Sequence, residues 1–204
     1  MNNALPALIG IVTCGGQSSR MGIDKSLLKY YEKPQRYHLY DLLKSFCKSV
    51  YISCNSEQAC HIHKGYEYIT DKEEFRSHGP ISGLMSAFLN HPEKSILYIG
   101  CDYPFLTKVS IQQLIEKRNN KSSCICYYNP EHNVYEPLIS IYENKSLKEI
   151  LIKFKKKQYS LREYLECSGP IILTPENIET IKSIDTLEEY KTIINQLNKP
   201  VVLS

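Results

Sequence analysis

Residues 13–25 read Thr-Cys-Gly-Gly-Gln-Ser-Ser-Arg-Met-Gly-Ile-Asp-Lys and follow directly on the apolar run Ala7-Leu8-Ile9-Gly10-Ile11-Val12. An apolar run of that length reads as a buried strand, and here it empties into a loop with glycines at 15, 16 and 22. Glycine lacks the Cβ that would hold a ligand away from the backbone amides. Arg20 and Lys25 add fixed positive charge beside those amides, a combination suited to a polyphosphate. The spacing excludes two other phosphate loops. A P-loop needs lysine directly after its last glycine, whereas Ile23-Asp24 separate Gly22 from Lys25. A dinucleotide fingerprint needs Gly-x-Gly-x-x-Gly, whereas this loop has adjacent glycines followed by Gln17-Ser18-Ser19-Arg20.

Beyond the loop, apolar strand-like runs alternate with amphipathic segments. The strand windows are 7–14, 49–54, 66–70, 95–101, 122–128, 136–142 and 170–174. Tyr37, Tyr40, Leu43 and Cys47 recur at helical spacing, with Leu39 and Phe46 widening the stripe. Ile81, Leu84, Met85 and Phe88 form a second stripe after the Gly79-Pro80 turn, and Ile111, Leu114 and Ile115 mark a third. Thr186-Leu187-Glu188-Glu189 opens a last helix, with Thr186 as N-cap and Glu189 as its capping-box partner. This is the βαβ pattern of an α/β, three-layer, Rossmann-like fold with a mostly parallel central sheet flanked by helices. No repeat, low-complexity tract or linker interrupts it. The expectation is one domain over residues 1–204, with a nucleotide-binding half over about 1–106 and an acceptor-binding half over about 107–204.

Composition narrows the function classes. A formal charge of +3 suits an anionic substrate and falls short of a nucleic-acid footprint. The cluster Lys153-Phe154-Lys155-Lys156-Lys157 reads as a solvated helix face. No apolar stretch reaches membrane-spanning length, and Met1-Asn2-Asn3-Ala4-Leu5-Pro6 lacks the features of a signal peptide. The expected location is cytoplasmic, with no nucleic-acid or membrane partner. Eight cysteines then read as reduced thiols, mostly small core hydrophobes. Cys60-His61-Ile62-His63 lacks a second Cys/His pair at zinc spacing, and Cys124-Ile125-Cys126 is not a redox Cys-x-x-Cys.

Ligands of open α/β sheets lie beyond the carboxyl ends of the strands. Gly15-Gly16 follow the first strand window, Asn55 the second, Asp71 the third and Asp102 the fourth, so one rim collects all of them. Asp102, in Gly100-Cys101-Asp102-Tyr103-Pro104-Phe105, suits Mg²⁺, which takes one or two protein carboxylates and fills its octahedron with phosphate oxygens and water. Its structural alternative is a turn residue or a cap of the helix at Thr107. Asp71 is a strand-end carboxylate free to accept hydrogen bonds from a ligand, or else a strand-end turn residue.

The loop resembles the signature of nucleoside-triphosphate transferases. Gly-Gly-x-Ser-x-Arg-Met-Gly-x-Asp-Lys is most similar to the molybdenum cofactor guanylyltransferases, and the resemblance covers nearly the whole chain. His78-Gly79-Pro80-Ile81-Ser82-Gly83 resembles the family's Gly-Pro-x-x-Gly segment. Cys101-Asp102-Tyr103-Pro104 matches its Cys-Asp-x-Pro, and Tyr135-Glu136-Pro137-Leu138 its Glu-Pro-Leu strand. Ser160-Leu161-Arg162 resembles a Ser-Leu-Arg helix start. The resemblance implies a fold of the nucleotide-diphospho-sugar transferase type. It also implies Mg²⁺-dependent transfer of GMP from GTP to the phosphate of molybdenum–molybdopterin, with release of pyrophosphate. Arg20, Lys25 and Asp102 would be catalytic, and Asp102 would hold the metal. Thr13, Cys14, Gly15, Gly16, Lys25, Asn55, Asp71, Gly79, Pro80 and Asp102 would contact the nucleotide, and Arg162 and Asp185 the acceptor. GTP and molybdopterin are then the small-molecule partners, with transient contact to molybdopterin-handling proteins. Four positions depart from the family pattern: Asp185 stands where Asn is usual, Leu187 where Pro is usual, and Thr13-Cys14 where Leu-Ala is commoner. Asp185 sits poorly beside an anion unless a second Mg²⁺ intervenes. The alternatives are a cytidylyltransferase for molybdopterin, a sugar- or polyol-phosphate nucleotidyltransferase, and a non-catalytic nucleotide- or pterin-binding protein of the same fold.

Overall fold

The computed structural model describes residues 4–14 and 24–197. Seven strands form one sheet: β1 (Leu8–Thr13), β2 (Val50–Cys54), β3 (Tyr68–Thr70), β4 (Ser95–Gly100), β5 (Cys124–Asn129), β6 (Val134–Tyr142) and β7 (Ile171–Leu173). Each falls on one of the seven expected windows, β6 starting two residues early and β5 ending one late. The order is β3-β2-β1-β4-β6-β5-β7. β1 pairs parallel with β2 and β4, β2 with β3, and β5 with β7, while β6 runs antiparallel to both β4 and β5.

Period-2 alternation sends the sheet's side chains to two separate cores. Val12, Cys14, Ile52, Cys54, Leu97 and Ile99 face one layer, where α1 (Gln35–Lys44) contributes Tyr37, Leu39, Tyr40 and Leu43. α4 (Lys108–Glu116) adds Ile111 and Leu114 to the same layer, and Thr107 caps it by accepting from Ser110 N. Ile9, Ile11, Ile96 and Tyr98 face the other layer, built from α3 (Pro80–Asn90), α5 (Ser146–Lys155) and α6 (Leu161–Ser168). The arrangement is the expected three layers. α2 (Ser56–Ala59) is a single turn on the β2–β3 connection.

α7 (Leu187–Leu197) starts as the sequence predicts: Thr186 N and Oγ1 donate to Glu189 Oε2, and Glu189 N donates back to Thr186 Oγ1 at 3.2 Å. Ile193 of this helix joins Ile184, Leu28 and Tyr30 in a third, smaller core. That core clamps the segment after the glycine-rich loop to the C-terminal segment.

β6 is irregular. Its pairing with β5 shifts between Cys126, opposite Ser140, and Tyr127, opposite Glu136, so the stretch around Pro137 is looped out. Proline has no N–H to give a ladder, and inside a sheet it is tolerated at such a break. The Ser140 hydroxyl donates to Glu136 O and the Tyr142 hydroxyl to Pro137 O, which pins the distortion in place. All eight cysteines are free thiols, and among the described residues no helix is long and apolar enough to cross a membrane.

Candidate active site

The four parallel neighbours β3, β2, β1 and β4 end on one rim, which brings together residues far apart in the chain. Thr13 closes β1 and is buried; its carbonyl accepts from Cys101 N at 3.2 Å. Cys14 N donates to Ser53 O at 2.9 Å, and the Cys14 and Cys101 sulfurs touch at 3.4 Å. Burial pushes the Cys101 thiol well above its ordinary value and that of nearby Cys54 up to about 12, so both are neutral packing groups. Gly15, Gly16 and Arg20 lie outside the described residues. Where the chain is described again, Asp24 Oδ1 accepts from Ser26 N at 2.9 Å and caps a 3₁₀ turn over Lys25–Leu27. Gln58 Nε2 donates to Asp24 Oδ2 at 2.9 Å, which ties the loop's exit to the end of β2. Lys25 Nζ then meets Asp185 Oδ1 at 2.6 Å. Ser183 Oγ donates to the other oxygen of Asp185 at 3.1 Å.

Asp102 follows β4 and folds back over it. A Cβ on Gly100 would come within 2.3 Å of Asp102 Oδ1 and 3.1 Å of Leu138 Cβ, so glycine is what leaves room for the carboxylate. Asp102 Oδ1 is buried without a hydrogen-bond partner among the described residues. Burial, with added repulsion from Asp185, pushes the Asp102 carboxyl up to about 6. Its carbonyl accepts from Ile184 N at 2.8 Å, so the C-terminal segment closes over the site. Next in sequence, the Tyr103 hydroxyl donates to Glu136 Oε2 at 2.8 Å, and Asn129 Nδ2 lies 3.4 Å from Glu136 Oε1. Asp102, Glu136, Asp185, Arg162 and Pro80 share a cleft of about 750 Å³. Arg162 sits in the first turn of α6, capped by Ser160, and Arg162 Nε reaches Tyr135 O at 3.4 Å.

Asn55 and Asp71 line a smaller recess of about 290 Å³ together with Arg76 and Ser77. Asn55 already has a structural duty: Asn55 Oδ1 accepts from Gln58 N at 2.8 Å, and Gln58 Oε1 accepts from Asn55 N, a capping box on α2. Burial raises the Asp71 carboxyl and Arg76 partly offsets that rise. Gly79 precedes α3 with φ 75°, in the left-handed region that favours glycine, and Pro80 occupies the first helical turn. The Tyr98 hydroxyl donates to Pro80 O at 2.7 Å, anchoring that helix start to β4.

The structure thus joins Asp102, Asp185, Pro80 and Arg162 around one cleft, with Lys25 paired to Asp185, and places Asn55 and Asp71 in a separate recess. Gln58, Tyr103, Glu136 and Asn129 went unassigned in the sequence, although Glu136 stood in the quoted Glu-Pro-Leu segment. Among the described residues no three His, Cys, Asp or Glu side chains converge as a metal cage. One buried carboxylate oxygen without a partner, in a cradle that a Cβ would fill, nonetheless fits a Mg²⁺ shared with phosphate oxygens.

A doubly wound sheet whose strand ends carry a glycine-rich loop, a lysine and a buried aspartate defines a nucleotidyltransferase. The chain belongs to the family of MobA-like NTP transferase domains, whose model matches residues 10–170. A probable molybdenum cofactor guanylyltransferase of Pyrococcus horikoshii is 35% identical over 158 residues, covering 76% of this chain and 79% of that protein. A molybdenum cofactor biosynthesis bifunctional protein of Synechocystis is 28% identical over 190 residues; the match covers 91% of this chain and spans about half, 53%, of that longer protein. Among solved structures, molybdopterin-guanine dinucleotide biosynthesis protein A from Archaeoglobus fulgidus superposes with a TM-score of 0.75 at 17% identity, covering 94% of this chain and 100% of that one. That likeness shows the fold.

Proposed function

We propose that the protein transfers GMP from GTP to the phosphate of molybdopterin and releases pyrophosphate. The observation that carries this reading is the Asp102 oxygen, without a partner among the described residues, in a cleft that it shares with Asp185, the ion-pair partner of Lys25. The names of the relatives support the choice of substrates. Asp102 would hold Mg²⁺, which when bound neutralises charge on the triphosphate and the developing pyrophosphate. Lys25 supplies a cation to the same charge, and triphosphate binding draws it away from Asp185. Asp71 accepts from the N–H groups of guanine, which offset its burial, and Arg76 beside it offers donors to the ring carbonyl. Arg162, on the far side of the cleft, holds the acceptor's anionic group. The acceptor phosphate is already ionised, so the reaction needs positioning and charge neutralisation rather than a side-chain base.

Incubation with each NTP, Mg²⁺ and molybdopterin, read as pyrophosphate release and product mass, tests the reading. The expected product is the guanine dinucleotide, with CTP turned over poorly. Lys25→Ala and Asp102→Ala each lower the rate by on the order of 10²–10³ or more with the fold intact by circular dichroism. Turnover near wild type in either variant refutes the assignment.

A further inference from the structure

We infer that Glu136 is a positioning residue for the divalent-cation site at Asp102, holding the turn that carries Asp102 through the Tyr103 hydroxyl and adding a buried negative charge beside it. The inference rests on the nucleotidyl-transfer reading above and deepens it.

Glu136 is 7% exposed, yet it lines the cleft with Asp102. Its two carboxylate oxygens meet neutral donors among the described residues, the Tyr103 hydroxyl and the Asn129 amide. Among the described residues no Lys, Arg or His forms an ion pair with it. Burying a charge without a counter-charge is costly. Here the cost is compounded, because Glu136 and Asp102 repel one another. A divalent cation on Asp102 reverses the sign of that interaction, so the charge that strains the empty site tightens the filled one.

The mechanical link is as direct. Tyr103 follows Asp102 in the chain and is buried; its carbonyl accepts from Gln35 Nε2 at 3.2 Å while its hydroxyl donates to Glu136. The ring is therefore pinned at both ends, and the Asp102 backbone is held between that anchor and the Ile184 N–H. Glu136 pairs with Tyr127 of β5 and is the residue directly before the irregular stretch of β6 at Pro137.

The test is Mn²⁺ binding to the full-length protein without nucleotide or acceptor, followed by electron paramagnetic resonance and by titration calorimetry. Glu136→Gln keeps the shape and removes the charge: its amide oxygen still accepts from Asn129 Nδ2, while its amide nitrogen becomes the donor to the Tyr103 hydroxyl oxygen. It is expected to weaken Mn²⁺ binding about tenfold, to raise half-saturating Mg²⁺ in turnover in proportion, and to leave the metal-free melting temperature unchanged or higher. Tyr103→Phe keeps the ring and the charge; about a threefold loss is expected, and it reads the same site if Glu136→Gln fails to fold. Glu136→Asp restores part of the affinity. Mn²⁺ affinity within twofold of wild type in both Glu136→Gln and Tyr103→Phe overturns the proposal. Asp102→Asn separates the two readings. If it abolishes Mn²⁺ binding while the other two variants bind normally, only the role of Glu136 fails. If it binds like wild type, the metal assignment itself fails.

Discussion

At Asp102 the buried carboxyl titrates near 6, above the ordinary 3.8 it has in the unfolded chain. The folded protein therefore holds a proton that the unfolded chain has already lost between those two values. The sign follows: the neutral form is tolerated in the fold, and stability is lost as pH rises through the folded value. In metal-free protein, Asp102→Asn is expected to raise stability at pH 7.5 by about 3 kcal/mol, and by only about 0.5 kcal/mol at pH 4. Thermal melts at the two pH values check this, with Mg²⁺-dependent turnover lost in the same variant. The place of Asp102 on the rim was legible in the sequence because it follows directly on an apolar strand window. Glu136 was not, because its neighbours Tyr103 and Asn129 reach it only through the pairing of β6 with β4 and β5.

The helix α3 shows how an element can be legible in type and hidden in use. Its stripe of Ile81, Leu84, Met85 and Phe88 predicts a helix with one buried face. In the structure Ser82, Gly83, Ser86 and Ala87 are buried as well, so the helix is enclosed on nearly every side. Gly83 makes that possible. A Cβ there would lie 2.3 Å from Ser53 Oγ and 2.8 Å from the Tyr98 hydroxyl, the same hydroxyl that anchors Pro80. Gly83→Ala improves intrinsic helix propensity by about 1 kcal/mol and still is expected to lose about 1–3 kcal/mol of stability through overpacking. The urea midpoint reports the loss at unchanged slope. Because the start of α3 shifts, KM for the nucleotide rises with it. The seven strand windows and the capping box of α7 were readable for a simpler reason: both are set by neighbours within a few residues.

Across the whole molecule, the candidate site residues lie at one rim and a buried ion pair at the other. At the opening of β4, Arg118 Nε and Nη2 donate to the Glu143 carboxylate at 2.7 and 2.9 Å, and Nη2 also reaches Pro6 O at 2.8 Å. Both side chains are nearly fully buried, and Ser95 Oγ adds a further donor to Glu143. Removing one partner of such a pair strands the other charge, so Arg118→Met is expected to cost about 3–5 kcal/mol. Denaturant titration should show that loss while KM for the nucleotide stays within twofold of wild type; a matching change in KM contradicts the separation of the two rims. By itself the sequence determined the layered α/β class, the strand windows and the capping box of α7, since these rest on periodicity and on residues adjacent along the chain. Only the tertiary structure decided that β6 runs against its neighbours, that Gly100 opens a cradle for Asp102, and that Lys25 pairs with Asp185 across 160 positions of chain. Such contacts depend on strand order and burial, and no local pattern encodes which distant carboxylate a lysine will meet.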